Sequence, residues 1–264
     1  NLAQITKKKG YTTYSEYWSP KLSQKITKNK KADLIYSANT LSHIKNFNEI
    51  FKSINNALSE KGVLIIEDPS LLKCLQNLAY DQFYCEHIYV FSTLALREVL
   101  KSFKLEIFDV ENTKTHGGSN RYYIKKNTNS LYKINNRVNA EIKKELQFGL
   151  NKFSTYQKFA KNVKISKSKL LKIFSSLNKK KLRIIGYGAT AKSCTVLNYC
   201  GLGKSDIKYF YDTTSYKVNK YLPGSKILIK KYKKLDNKEI DVAFLGAWNF
   251  KKEIFKKEKS FIKK

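Results

Sequence analysis

The chain of 264 residues carries 52 Lys and Arg against 21 Asp and Glu, a formal net charge of +31, with three His, four Cys and no Met. That length suits two modest domains, each able to bury its own core, and no apolar run approaches the roughly 20 residues that span a bilayer, which argues against a membrane partner. Cys74, Cys85, Cys194 and Cys200 lack the paired spacing of a zinc site and are too few for a disulfide framework, and the first residues show no secretory pattern, so reduced thiols and a cytoplasmic setting are expected.

A charge of +31 invites a nucleic-acid reading, because basic surfaces release counterions from phosphate backbones. The residue types argue against it. Only four of the 52 basic side chains are Arg, whose planar fork reads bases and phosphates, and the lysines are dispersed among Asn, Ile, Tyr and Phe. No nucleic-acid partner is expected; drift in an AT-rich genome accounts for the lysines, and the charge remains available to attract anionic small substrates.

In chain order, the opening "NLAQITKKKG" is helix-like with no strand before it, and together with the lack of Met it makes the chain an expected fragment. Periodicity predicts a buried strand over residues 32 to 39, an amphipathic helix over 47 to 62 closed by Gly62, and a second buried strand over 63 to 69. Strand, helix and strand in that order predict a parallel α/β sheet. A helix follows over "SLLKCLQNLAY", then the stretch "YDQFYCEHIYVFS" at 80 to 92, then a helix over 93 to 103. "LEIFDVENTKTHGGSNRYYIKK" reads as an antiparallel hairpin turning at Gly117 and Gly118. Residues 126 to 181 are Lys-rich and patterned for helices, a bridge to a second α/β unit that opens with "LRIIGYGATAKSCTVLNYC" and continues with strands at 207 to 212 and 241 to 248.

Gly186, Gly188 and Ala191 form G-x-G-x-x-A after a strand, with Asp212 ending the next one, the layout by which glycines admit a pyrophosphate and an acid meets a ribose hydroxyl. A closely packed strand-to-helix turn favours glycine equally well, and Lys192 in the first helical turn is consistent with an anion without identifying one. All three histidines (His43, His87 and His116) fall in predicted loops of the first unit, and His43 and the loop after Asp68 lie beyond strand carboxyl ends, where parallel sheets bind ligands. Imidazole is the natural base near neutrality, and a neighbouring carboxylate can fix its tautomer. If residues 84 to 87 are extended, Tyr84 and Glu86 share one side and Cys85 and His87 the other; in a bend the group can converge. The sequence leaves both open.

The stretches "ANTLSHI", "EDPSLL", "YDQFYCEHIYVFS", "EIFDVENTKTHGGSNRYYI", "GYGATAKSCTVLNYCG", "YDTTSYKVNKYLPGSKI" and "LGAWNFKKEI" together resemble the S-adenosylmethionine-dependent C-methyltransferases that act on nucleotide-linked keto-deoxysugars. The resemblance runs from Asn1 to about Ile254. It implies an α/β architecture: a partial Rossmann-like class I methyltransferase sheet with a terminal antiparallel hairpin over residues 1–125, a helical bridge over 126–181, and a second, smaller Rossmann-like α/β domain over 182–264.

The resemblance also implies a reaction, methyl transfer onto a sugar carbon next to a ketone. His87 would remove the α proton, Glu86 would orient or relay, and Tyr84 would donate to the enolate oxygen. S-adenosylmethionine is the implied cofactor, with Asn39, Tyr17 and Trp18 at its site; the nucleotide-linked keto-deoxysugar is the implied partner, met by His43, His116, Ser119, Arg121 and Lys192. A planar guanidinium suits a diphosphate. No metal is needed for the step, and the family's zinc is implied only for a region upstream of this chain.

Under the same resemblance the glycine turn at Gly186 shapes the domain and holds no NAD. Cys85 stands where the family usually has histidine, and the family's glycine-rich donor loop would lie upstream, so the fragment is expected to be inactive by itself. An NAD-dependent sugar oxidoreductase and a non-catalytic sugar-nucleotide-binding remnant are the alternatives.

Overall fold

The structure is a computed structural model that describes residues 2 to 263; Asn1 and Lys264, the outer bounds of the expected domains, lie outside the described residues. In chain order the elements are α1 (Leu2–Lys8), α2 (Pro20–Ile26), β1 (Ala32–Ala38), α3 (Phe47–Ala57), β2 (Leu58–Pro69), α4 (Leu71–Gln76), α5 (Thr93–Lys101), β3 (Leu105–Thr113), β4 (Ser119–Lys126), α6 (Asn136–Phe148), α7 (Phe153–Lys179), β5 (Ile184–Tyr187), α8 (Ala191–Cys200), β6 (Phe210–Asp212), β7 (Ile229–Lys231), β8 (Val242–Leu245), α9 (Lys251–Lys257) and α10 (Lys259–Ile262). They divide into two compact units. Unit 1 comprises Asn1–Asp68, Phe91–Thr113 and Asn120–Glu145, and unit 2 comprises Pro69–Val90, Lys114–Ser119 and Leu146–Lys264. The helices expected as a bridge are present, with α6 up to Glu145 in unit 1 and α7 in unit 2.

Unit 1 is built on a sheet of order β1-β2-β4-β3, with β1 and β2 parallel. β3 and β4 are neighbours joined by a short connection, which only an antiparallel pair allows, as the hairpin reading predicts. The amphipathic α3 buries Ile50, Phe51 and Ile54, with the Phe51 ring 5.5 Å from Phe47 and 5.4 Å from Phe103. Asn46 caps α3 by accepting the amide proton of Glu49.

Gly62 does not close that helix. α3 stops at Ala57, and β2 begins at once with the fully buried Leu58. The pairing with β1 then shifts between Ala32, opposite Leu58, and Leu34, opposite Val63, so extra residues bulge out of β2. Gly62 sits in that bulge because a β-carbon there would stand 2.7 Å from the carbonyl of Ala32. Further along, Glu145 of α6 accepts the amide protons of Thr93 (2.7 Å) and Leu94 (2.8 Å) at the start of α5, a carboxylate matched to the positive end of that helix.

Unit 2 carries a sheet of order β7-β6-β5-β8, parallel throughout. One face packs Ile184, Phe210 and Ile229 with Leu197 of α8 and Leu170, Phe174 and Leu177 of α7. The other packs Ile185, Tyr187 and Tyr211 with Ile254 and Phe261. On that side Glu258, buried between α9 and α10, accepts hydrogen bonds from the hydroxyls of Tyr187 and Tyr232 and the amide of Leu235. Helices on both faces of a parallel sheet give a three-layer α/β unit, and Phe174 shows why α7 belongs to it: that ring is 3 % exposed in the core of this sheet.

Candidate active site

Residues 84 to 87 are bent, not extended. The amide of His87 donates to the carbonyl of Tyr84 at 2.9 Å, closing a four-residue turn with Cys85 and Glu86 at its corner. The turn brings the first and last side chains together: the rings of Tyr84 and His87 lie 4.0 Å apart, and the phenol oxygen is 2.7 Å from Nε2. On the other side of the imidazole, Nδ1 is 2.8 Å from the carbonyl oxygen of Gln82.

That second contact sets the chemistry. A carbonyl oxygen can only accept, so Nδ1 carries the proton, and the lone pair of the neutral ring is on Nε2, where the Tyr84 hydroxyl donates to it. Burial, with Glu86 nearby, pushes the Tyr84 phenol up to about 12, so it stays a protonated donor at neutral pH. The orienting acceptor is thus the main chain of Gln82, which no side-chain pattern in the sequence marks. Glu86 stands exposed at the corner and faces a cavity of about 450 Å³ lined also by Thr190, Cys194, Tyr216, Lys217 and Lys220.

His116 belongs to the same unit. Its backbone is left-handed (φ 51°), and its carbonyl accepts the side-chain amide of Gln82 at 2.6 Å. Ser119 is buried and donates to the carbonyl of Thr115. Lys192 is buried, with its ammonium 5.3 Å from the centre of the Trp248 ring.

The glycine turn of unit 2 is tied to Asp212 by its own backbone amides and borders a cavity of about 390 Å³ lined by Gly188, Thr190, Asp212, Thr214 and Lys217. The amide of Ala189 donates to Asp212 Oδ2 and that of Thr214 to Asp212 Oδ1, both at 2.8 Å, so the acid that would meet a ribose holds the turn together. Thr190 and Ser193 cap the first turn of α8 reciprocally. A β-carbon at Gly188 would stand 2.6 Å from Cβ of Ala247, and one at Gly186 would run into the ring of Phe210. These glycines serve close packing.

In unit 1, Asn39, Ser42, His43 and Asp68 gather at the carboxyl ends of β1 and β2. Asn39 is left-handed (φ 50°), and its amide donates to the carbonyl of Glu67 at 2.7 Å. Asn39 Oδ1 is buried with no hydrogen-bond partner among the described residues, and Ser42 Oγ and both oxygens of Asp68 are buried with no well-formed bond, although Ser42 lies close enough to the carboxyl to favour its charge. Burial pushes the Asp68 carboxyl up to about 6, which the neighbouring Ser42 offsets only in part. Orphaned polar atoms are costly, and a group of them at strand carboxyl ends fits a polar ligand. Trp18 Nε1 is likewise a buried donor without an acceptor, whereas Tyr17 is 95 % exposed. Arg121 is paired with Glu67 through Nε (2.8 Å) and Nη2 (2.7 Å), with Glu111 at 4.0 Å, and hydrogen bonding to Glu67 holds the guanidinium protonated.

A Rossmann-like sheet and a second parallel α/β unit agree with what the comparisons show: the chain belongs to the C-methyltransferases, matching the C-methyltransferase C-terminal domain family over residues 114–264 and a methyltransferase domain family over residues 3–110. It is similar to C-methyltransferase NovU of Streptomyces niveus, with 28 % identity over 263 residues. The match covers 99 % of this chain and 62 % of the length of that relative. Among the described residues no helix is long and apolar enough to cross a membrane.

Proposed function

We propose that the chain supplies the catalytic base and sugar site of an S-adenosylmethionine-dependent C-methyltransferase acting beside the ketone of a nucleotide-linked deoxysugar. One observation carries the reading: His87 is held as the Nδ1–H tautomer, with the basic Nε2 and a phenol proton on the same edge. That pairing is what α-proton abstraction requires. Nε2 takes the proton from carbon, and Tyr84 donates to the oxygen on which the enolate charge develops.

S-adenosylmethionine, when bound, supplies the electrophilic methyl group. Asn39 and Trp18 carry unpartnered buried polar atoms suited to holding it, and Tyr17 and His43 are assigned to the same region of unit 1. Glu86, His116, Ser119 and Lys192 belong to unit 2 with the base, and Arg121, paired with Glu67 in unit 1, is assigned to the anionic part of the sugar nucleotide. The likeness to C-methyltransferase NovU supports methyl transfer to carbon, the sugar nucleotide is what the sequence resemblance implies, and Glu86 is assigned to orient or relay for His87.

The test uses the half-reaction that needs no methyl donor. In deuterium oxide, a nucleoside diphosphate-linked keto-deoxyhexose should exchange its α proton in the presence of the protein. His87→Ala should reduce that exchange about 10²- to 10⁴-fold while the affinity for the sugar nucleotide is retained. Equal exchange with the variant would refute the role of His87.

A further inference from the structure

Unit 2 groups two buried charged side chains, Asp81 and Lys192, around the half-buried indole of Trp248; Lys192 is assigned above to the sugar nucleotide, whereas Asp81 and Trp248 have no part in the proposed reaction. Asp81 is 5 % exposed and Lys192 6 %, and the lysine ammonium has no hydrogen-bond acceptor among the described residues. The indole of Trp248 lies among them. Its Nε1–H donates to Asp81 Oδ2 at 2.5 Å, and its ring has the Lys192 ammonium 5.3 Å from its centre. Its outer edge meets Gly117, where a β-carbon would stand 2.3 Å from Cη2.

The two charges depend on each other. Burial pushes the Asp81 carboxyl up and the Lys192 ammonium down, and the charge of each opposes the shift of the other. Removing either therefore disfavours the ionised form of the survivor. An ionised carboxylate is also the stronger acceptor for the indole N–H.

Asp81 is the middle residue of a 3-10 turn, Tyr80–Gln82. The next residue is Gln82, whose carbonyl fixes the imidazole of His87 and whose side chain is anchored on the carbonyl of His116. The turn is thus held at two successive residues, by the indole at Asp81 and by His116 at Gln82. We infer that Asp81, Trp248 and Lys192 are positioning residues for His87: the indole and the buried pair hold the Tyr80–Gln82 turn in the orientation that presents the Gln82 carbonyl to Nδ1. The inference rests on the reading of His87 as the base.

With only three histidines in the chain, nitrogen-15 NMR of histidine-labelled protein can follow His87, assigned with His87→Gln. The unaltered protein at pH 8 should show the neutral Nδ1–H tautomer. Trp248→Phe and Asp81→Asn should move the signals toward a mixture of tautomers, and should lower kcat for α-proton exchange about tenfold with KM unchanged. Lys192→Met, which removes only the ammonium, should move the His87 signals in the same direction. Lys192→Met combined with Asp81→Asn should recover part of the loss, because no uncompensated charge remains.

A His87 spectrum identical in natively folded Trp248→Phe, Asp81→Asn and Lys192→Met proteins would overturn the inference. If Trp248→Phe does not fold, Lys192→Met decides alone by the same criterion. A His87 signal that responds in a protein that exchanges no sugar proton would uphold the positioning role and sink the proposed function, so the two failures are distinct.

Discussion

The phenol oxygen of Tyr84 lies 2.7 Å from Nε2 of His87, the nitrogen to which the proposed reaction gives the proton from carbon. Under that proposal the hydroxyl has to leave the imidazole for the substrate oxygen when the sugar enters. Tyr84→Phe keeps the ring and removes this second task. We expect α-proton exchange to slow about 10- to 100-fold with little change in KM, measured by NMR in deuterium oxide. An unaltered rate would show that the phenol does not stabilise the enolate.

Arg121 has a structural partner whatever it does for substrate. The Glu67 side chain is 6 % exposed and takes two hydrogen-bonding nitrogens of Arg121. Arg121→Met should destabilise the protein by about 2–4 kcal/mol, since it takes the paired guanidinium away from a buried carboxylate. Adding Glu67→Gln should return most of that loss. Urea unfolding of the single and double variants measures it, and a double variant no more stable than the single would contradict the pairing.

Two glycines with positive φ should respond differently to the same change. Gly188 has φ 84° and would bring a β-carbon to 2.6 Å from Cβ of Ala247, whereas Gly201 has φ 73° with nothing within 4 Å. Gly188→Ala is expected to cost about 2–4 kcal/mol and Gly201→Ala about 1 kcal/mol, the latter from backbone conformation alone. Equal losses by thermal unfolding would mean that the contact with Ala247 carries no weight.

Asp68 gives the protein a pH signature. Its folded pKa of about 6 lies above the ordinary 3.8, so its contribution is fully present below about pH 4 and is lost as pH rises through 6. Asp68→Asn should therefore stabilise the protein at pH 7.5 relative to pH 4, by up to about 3 kcal/mol in the difference between the two. Parallel denaturation series at both pH values test this, and the same increment at each would show that the carboxyl is not held in its neutral form.

Much of this was legible in the residues. The strands expected at 32 to 39 and 63 to 69 are β1 and the end of β2, and the hairpin around Gly117 and Gly118 links β3 to β4 as expected; β1 is not the buried strand its apolar run suggests, because it lies at the sheet edge with Leu34 and Tyr36 exposed. The helix before β2 ends earlier than its pattern predicts, because Gly62 is a stop signal in isolation and only the approach of the Ala32 carbonyl shows its use in a strand. Strand β7 has no sequence signal, since its three residues, Ile229–Lys231, have one buried position and no alternation to detect. At the site, residue types pointed to Tyr84, Glu86 and His87. The group that orients the imidazole is a main-chain carbonyl, which has no side-chain signature, and Asp81 and Trp248 meet across 167 positions of sequence.

The small residues at the carboxyl ends of β5 and β8 have a wider meaning. Gly188 abuts Ala247, and a β-carbon at Gly246 would strike Ser193 and the carbonyl of Gly188. A spacing that elsewhere clears room for a diphosphate here also lets two loops interlock, so the same letters record intimacy between neighbours along one wall of the cavity that Gly188 and Asp212 line.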